Sequence, residues 1–157
     1  MPSARTIFWD VDTQVDFMLP GGKLYVPGAE KIIPNLRRFV DAACEGRAFL
    51  VSSADAHAPD DEEFSEWPPH CLRGTPGQQK IPETLTRNYY VVPNLPDSLP
   101  DDLERHQQLI LEKQHLDVFT NPNTETLLVR LCGSRLQPRH EAAPPSEIGR
   151  ASCRERV

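Results

Sequence analysis

Two β-branched and aromatic runs, Thr6–Val11 and Ala48–Ser53, stand on either side of a helical pattern from about Ala29 to Glu45. Ile33, Leu36, Phe39, Val40 and Ala43 recur at the spacing of one helix face, and Gly46 is placed to end the helix. Pro34 is compatible only with the start of that helix, because it lacks an N–H. Strand, helix and strand in that order predict a parallel sheet with crossover helices. A third short strand, Leu109–Glu112, and a helix capped by Asn123 or Thr124 and carrying Leu127, Leu128 and Leu131 extend the pattern. Tyr89–Val92 reads equally as a short strand or a loop. The expected fold class is therefore α/β, with a mainly parallel sheet. Ligands in such sheets collect beyond the carboxyl ends of the strands. Asp12, Asp55 and Lys113 each fall just past a predicted strand end, so one edge of the sheet would gather all three.

At 157 residues the chain suits one domain. Its net charge of −6 and pI near 5.3 argue against a nucleic-acid partner, which would need a basic face. No apolar run approaches a membrane span, and the N-terminus lacks a signal-peptide pattern. Four cysteines at irregular positions form no CxxC pair and no disulfide framework. A reduced, soluble, cytoplasmic domain is expected.

The segment Asp55–Gly77, DAHAPDDEEFSEWPPHCLRGTPG, is too rich in Pro, Gly and charge for a helix or a strand. It groups Asp55, His57, Glu63 and His70 on the loop that follows the second strand. Carboxylates and imidazoles gathered in this way suit a divalent metal. Spacing alone leaves open a plain acidic, solvated loop, because a mixed Asp/His/Glu set follows no strict interval. Asp12 alone would serve equally as a loop cap, Lys113 as a solvated lysine and Trp67 as loop packing.

Three segments taken together resemble the cysteine hydrolase superfamily of nicotinamidases, pyrazinamidases and isochorismatase-like enzymes. These are VDTQVDF (Val11–Phe17), DAHAPDDEEF with WPPHCLRGTPG, and LEKQHLDVF (Leu111–Phe119). The resemblance runs from about Thr6 to Leu131 and implies a three-layer α/β/α fold, incomplete at its C-terminal side. It implies that Asp12 is the general base, that Lys113 is its cationic partner, and that Asp55, His57, Glu63 and His70 hold one metal ion. Two histidines and two carboxylates admit Zn, Fe or Mn. Phe17 and Trp67 would be the aromatic walls of a pocket for a small amide. The reaction implied is hydrolysis of nicotinamide to nicotinate and ammonia through a cysteine thioester, in a protein that forms homo-oligomers when full length. Cys71 is not the nucleophile by this resemblance, and His106 and His115 read as surface residues.

The family's nucleophilic cysteine follows a further apolar strand, and the sequence has none there. Residues 133–157 hold five arginines and three glutamates, a net charge of +2, against −8 for residues 1–132. Cys153 lies at a suitable interval after Lys113, but Ser152 and Arg154 give it no strand–turn–helix context. Glu147–Val157 (EIGRASCRERV) reads as the translation of a common sequencing-library adapter. The expectation is a partial hydrolase domain over 1–131 and an unrelated tail over 132–157, made of frame-shifted sequence plus adapter read-through. Such a chain would lack the nucleophile, be inactive and dissolve poorly. Two other readings, one enzymatic and one not, stand beside it: a related hydrolase of another small amide or an isochorismate-type substrate, and a shortened metal-binding protein without turnover.

Overall fold

The computed structural model describes residues 6–132, and the tail expected over 132–157 lies outside them apart from Cys132. Four strands form one wholly parallel sheet in the order β1-β2-β4-β3. They are β1 (Ile7–Asp10), β2 (Phe49–Asp55), β3 (Tyr89–Val92) and β4 (Gln108–Lys113). The longer helices are α2 (Ile33–Cys44) and α3 (Thr124–Cys132), and α1 (Val15–Met18) is a single turn after β1.

Side-chain alternation along β2 explains the layers. Phe49 and Val51 join Leu109, Leu111, Val92 and Leu127 of α3 in one cluster. Leu50 points to the other face and packs with Val40 and Ala43 of α2, with Phe8 against them. Every residue of β2 is buried, as a strand covered on both faces requires. The fold is thus helix, sheet, helix, as the alternating strands and helices predict.

Helix α2 starts later than the expected bound near Ala29, at the first residue of its apolar stripe. Ala29–Ile32 forms a 3-10 turn, and the α-helix begins at Ile33 with Pro34 in its first turn. The ring at Pro34 cannot follow a regular preceding turn, so the chain tightens there. At the other end Gly46 takes φ +72°, and the N–H groups of Gly46 and Arg47 donate to Ala43 and Ala42. These two hydrogen bonds close the helix as the position of Gly46 predicts.

Tyr89–Val92 is a strand, at one edge of the sheet. The two central strands both run further than their apolar residues suggest. β2 continues through Asp55 and β4 through Lys113, because these two are partners in register. The loop from Asp55 onward contains two short 3-10 turns, Glu62–Ser65 and Pro76–Gln78, and one isolated bridge between His57 and Leu72. No helix among the described residues is long and apolar enough to cross a membrane.

Candidate active site and metal centre

The in-register pairing of Asp55 with Lys113 places both side chains on the same face of adjacent strands. Their carboxylate and ammonium meet directly, Lys113 Nζ to Asp55 Oδ1. Two residues past β1, Asp12 takes the left-handed region, φ +50°, a conformation that Asp tolerates better than most residues. This turn sends Asp12 toward the same point: its Oδ2 lies 3.0 Å from Lys113 Nζ, and its Oδ1 accepts from Ser53 Oγ at 2.7 Å. Lys113 therefore sits between two carboxylates. Its side chain is 2% exposed, whereas that of Asp12 is 25% exposed. Burial alone would lower the lysine pKa, but Asp12 and Asp55 outweigh it and hold the ammonium above its ordinary value.

The other oxygen of Asp55 faces the histidines. Asp55 Oδ2 lies 3.8 Å from His57 Nε2 and 3.9 Å from His70 Nε2, and Glu63 Oε1 lies 3.8 Å from His70 Nε2. These gaps exceed a hydrogen bond. They match the separation of about 3–4 Å between neighbouring donors around one ion bound at about 2.0–2.2 Å. Both rings are turned by their other nitrogen. His57 Nδ1 meets Asp61 Oδ2 at 3.0 Å, and His70 Nδ1 donates to the carbonyl of Pro68 at 2.8 Å. Each Nε2 is then free to present a lone pair to the shared space. His57 Nε2 is fully buried and has no hydrogen-bond partner, an arrangement that is costly unless something else occupies it. Asp55, His57 and His70 are buried and bring one donor atom each within 4.8 Å of the others, a group that could hold a divalent cation, while Glu63 stands beside His70 and forms a second such group with His57 and Asp61.

The charges around this space are strongly coupled. Burial would raise the Asp55 carboxyl, but the His57 contact and the Lys113 ammonium hold it below the usual carboxylate value. Burial would lower His57, and the flanking carboxylates of Asp55 and Asp61 reverse that. Phe64 closes one side, with ring centroids 5.3 Å from His57 and 5.8 Å from His70. Phe17 stands edge-on to His70 at 5.3 Å. Trp67 is 49% exposed on the same loop and shares no ring contact with this group.

Cys71 is buried, and its thiol points to the carbonyl of Gly77 at 3.8 Å. Burial, then Asp55, Asp16 and Asp12, push that thiol far above the ordinary cysteine value, which makes it a poor nucleophile. Among the described residues no cysteine is hydrogen-bonded to Asp12 or Lys113. His115 is exposed and His106 is half-buried.

Several residues of the site are given no role by the sequence reading. Asp61 uses one oxygen for His57 and the other for the N–H of Glu63, so it orients two donors at once. The i, i+4 relation of His57 and Asp61 was the available signal. Gln14 accepts from the N–H of Asp55 at 2.8 Å and donates to its carbonyl at 2.8 Å, and so pins the end of β2. Asp10 and Lys80 form a second buried pair at 2.7 Å, joined by Thr13 and Ser52. Burial draws the Lys80 ammonium below the ordinary lysine value against the pull of Asp10.

Solved structures similar to this fold include hydrolases. An isochorismatase-like hydrolase from Alkaliphilus metalliredigens is 25% identical with a TM-score of 0.61, over 81% of this chain and 62% of its own. This is the isochorismatase-like α/β fold. The pyrazinamidase of Pyrococcus horikoshii, solved in complex with zinc, is 27% identical with a TM-score of 0.56, over 80% of this chain and 63% of that one. N-carbamoylsarcosine amidase from Thermoplasma acidophilum shares the fold at 22% identity and a TM-score of 0.58, over 80% of this chain and 61% of that one. The chain spans about three fifths of the length of these three structures. No protein-family model and no curated protein matches the sequence.

Proposed function

We propose that this isochorismatase-like chain acts as a metal-containing amidohydrolase of the nicotinamidase and pyrazinamidase type. The observation that carries the reading is Lys113, shared between Asp12 on one side and Asp55 on the other. A catalytic carboxylate and a metal-facing carboxylate then touch the same ammonium. The zinc-bound pyrazinamidase among the structures above supports a divalent ion here.

The part-exposed Asp12 is the general base: it takes the proton of a nucleophile delivered from outside residues 6–132. By the resemblance that nucleophile is a cysteine. Lys113 stabilises the thiolate as it forms, and its charge persists because the two carboxylates keep it protonated. The thiolate attacks the amide carbonyl, ammonia leaves with a proton returned from Asp12, and water cleaves the thioester. Asp55, His57, Glu63 and His70 would hold the metal, which when bound supplies a Lewis-acid anchor for the ring nitrogen or a water of the substrate. Phe17 packs beside that anchor and supplies an aromatic wall.

Ammonia release from nicotinamide by the protein read in full from its gene tests this. Activity that falls about 100-fold or more in Asp12→Asn supports the base assignment. Full activity in that variant overturns it. Release from an N-carbamoyl compound but not from nicotinamide would move the enzyme to another substrate class. A clean nucleotide read from the codon of Asn121 onward shows which residues succeed α3 in the natural gene.

A separate prediction concerns Asp61. Asp61→Ala is expected to weaken Zn²⁺ binding about 10–100-fold, because His57 loses the partner that fixes its tautomer. Isothermal titration at constant pH measures it. A Kd unchanged within threefold would show that Asp61 does not act on the metal.

A further inference from the structure

Asp16 belongs to none of the groups above, yet it is buried and charged. Its side chain lies on α1 and makes no ion pair among the described residues. Its Oδ2 accepts from the N–H of Cys71 at 2.7 Å, and its Oδ1 accepts from the N–H of Lys23 at 3.0 Å. Its own carbonyl accepts from Leu24 at 3.1 Å. Both carboxylate oxygens therefore serve backbone donors.

The surroundings are shaped for this carboxylate. A side-chain carbon at Gly77 would fall 2.2 Å from Asp16 Oδ2, and one at Gly22 would fall 2.3 Å from the Asp16 carbonyl oxygen. Both positions require glycine because the chain closes directly on Asp16. Cys71, whose N–H donates the shorter of the two bonds, adopts φ +45°. A residue bearing a side chain holds that left-handed conformation only when its surroundings fix it. Cys71 immediately follows His70, and Phe17, next to Asp16, packs on the His70 ring.

The polar residues of VDTQVDF consequently reach three separate segments. Asp12 goes to Lys113, Gln14 to the peptide of Asp55 and Asp16 to the peptide of Cys71. We propose that Asp16 is a positioning residue for the metal centre: it locks Cys71 in its left-handed turn and so aims His70 Nε2 at the other donors. This inference rests on the metal reading given above. It also explains why an aspartate stands there, since an asparagine accepts through one oxygen only.

The test is Co²⁺ titration of the 157-residue chain, followed by its visible d–d band, in wild type, D16N, D16A, G77A and H57A. D16A is expected to lose about tenfold or more in Co²⁺ affinity and to change the band, because one imidazole is displaced. D16N retains an oxygen for Cys71 and is expected to keep a wild-type band with a smaller loss. G77A presses on the carboxylate from outside and is expected to reproduce the D16A spectrum with Asp16 intact. Thermal melts separate these effects from unfolding, and if D16A does not fold, D16N and G77A carry the test. A purely structural role would lower Tm in D16A while leaving band and affinity unchanged. That result, or a wild-type band and affinity in G77A, overturns the proposal. Absence of any band in wild type, with H57A indistinguishable from it, removes the metal reading and this inference together. Binding by wild type and D16A alike removes only the role of Asp16.

Discussion

Lys113→Met is expected to destabilise the metal-free protein by about 3–5 kcal/mol, the range for removing one partner of a buried ion pair. The size follows from burial. The Lys113 and Asp55 side chains are 2% and 8% exposed, so the substitution leaves Asp55 a nearly buried anion without its cation. Asp12 loses a contact too, but water reaches it and softens the loss. Methionine keeps most of the volume, so the change reads charge and not a cavity. The pH dependence gives a second signature. Asp55 has a folded pKa below its ordinary 3.8, so its stabilising contribution is present above about pH 4 and vanishes as pH falls through the lower folded value. Without Lys113 that contribution shrinks, and the acid-unfolding midpoint of the variant moves up. At the alkaline end the sign reverses. The raised Lys113 pKa stabilises the protein below about pH 10.5 and loses effect as pH climbs through the folded value, a loss the variant lacks. Urea unfolding across the pH range measures all three. A stability within 1 kcal/mol of wild type at neutral pH would mean that the triad of charges is not coupled as the distances indicate.

Local composition reveals the strands and helices of this chain more readily than where they stop. The runs around Ile7–Asp10 and Phe49–Asp55 are legible because β-branched and aromatic residues dominate them. Their polar ends are not: Asp55 and Lys113 belong to strands only because each is the other's partner, 58 positions away. The site divides in the same way. Asp12, Asp55, His57, Glu63, His70 and Lys113 carry side chains whose chemistry announces itself, and the structure brings these six together. Gln14 and Asp16 act on the backbone of Asp55 and Cys71, and Asp10 acts on Lys80, across 41, 55 and 70 positions, and only the tertiary fold creates those contacts. Trp67 shows the converse, since an aromatic residue in the right motif is half exposed here and touches no ring of the site.

The pair that motif reading misses altogether yields the other large effect. Lys80→Met alone is expected to cost about 3–5 kcal/mol, because the Asp10 carboxylate stays buried with its cation gone. Asp10 is poorly placed to absorb that loss. Its Oδ1 already lacks a hydrogen-bond partner, and Ser52 and Thr13 both lie against Oδ2. The double variant Asp10→Asn, Lys80→Met removes both charges and is expected to recover most of the stability, leaving it near wild type. A double-mutant cycle on urea midpoints then gives a favourable coupling of several-fold more than an exposed pair would show. If the double variant is as unstable as the single one, the lysine stem and not its charge is what the core needs. Lys80 also ties this pair to the chemistry. Thr13 accepts from Lys80 Nζ at 2.7 Å and its carbonyl accepts from Ile81 N–H at 3.0 Å, so residues 80–81 clamp the backbone immediately after Asp12. Loosening that clamp frees the left-handed turn that aims Asp12 at Lys113. On the function proposed above, the double variant, stable but without the Lys80 contact, is therefore expected to lose turnover through Asp12 while keeping its metal affinity, because the proposed donors lie on other segments.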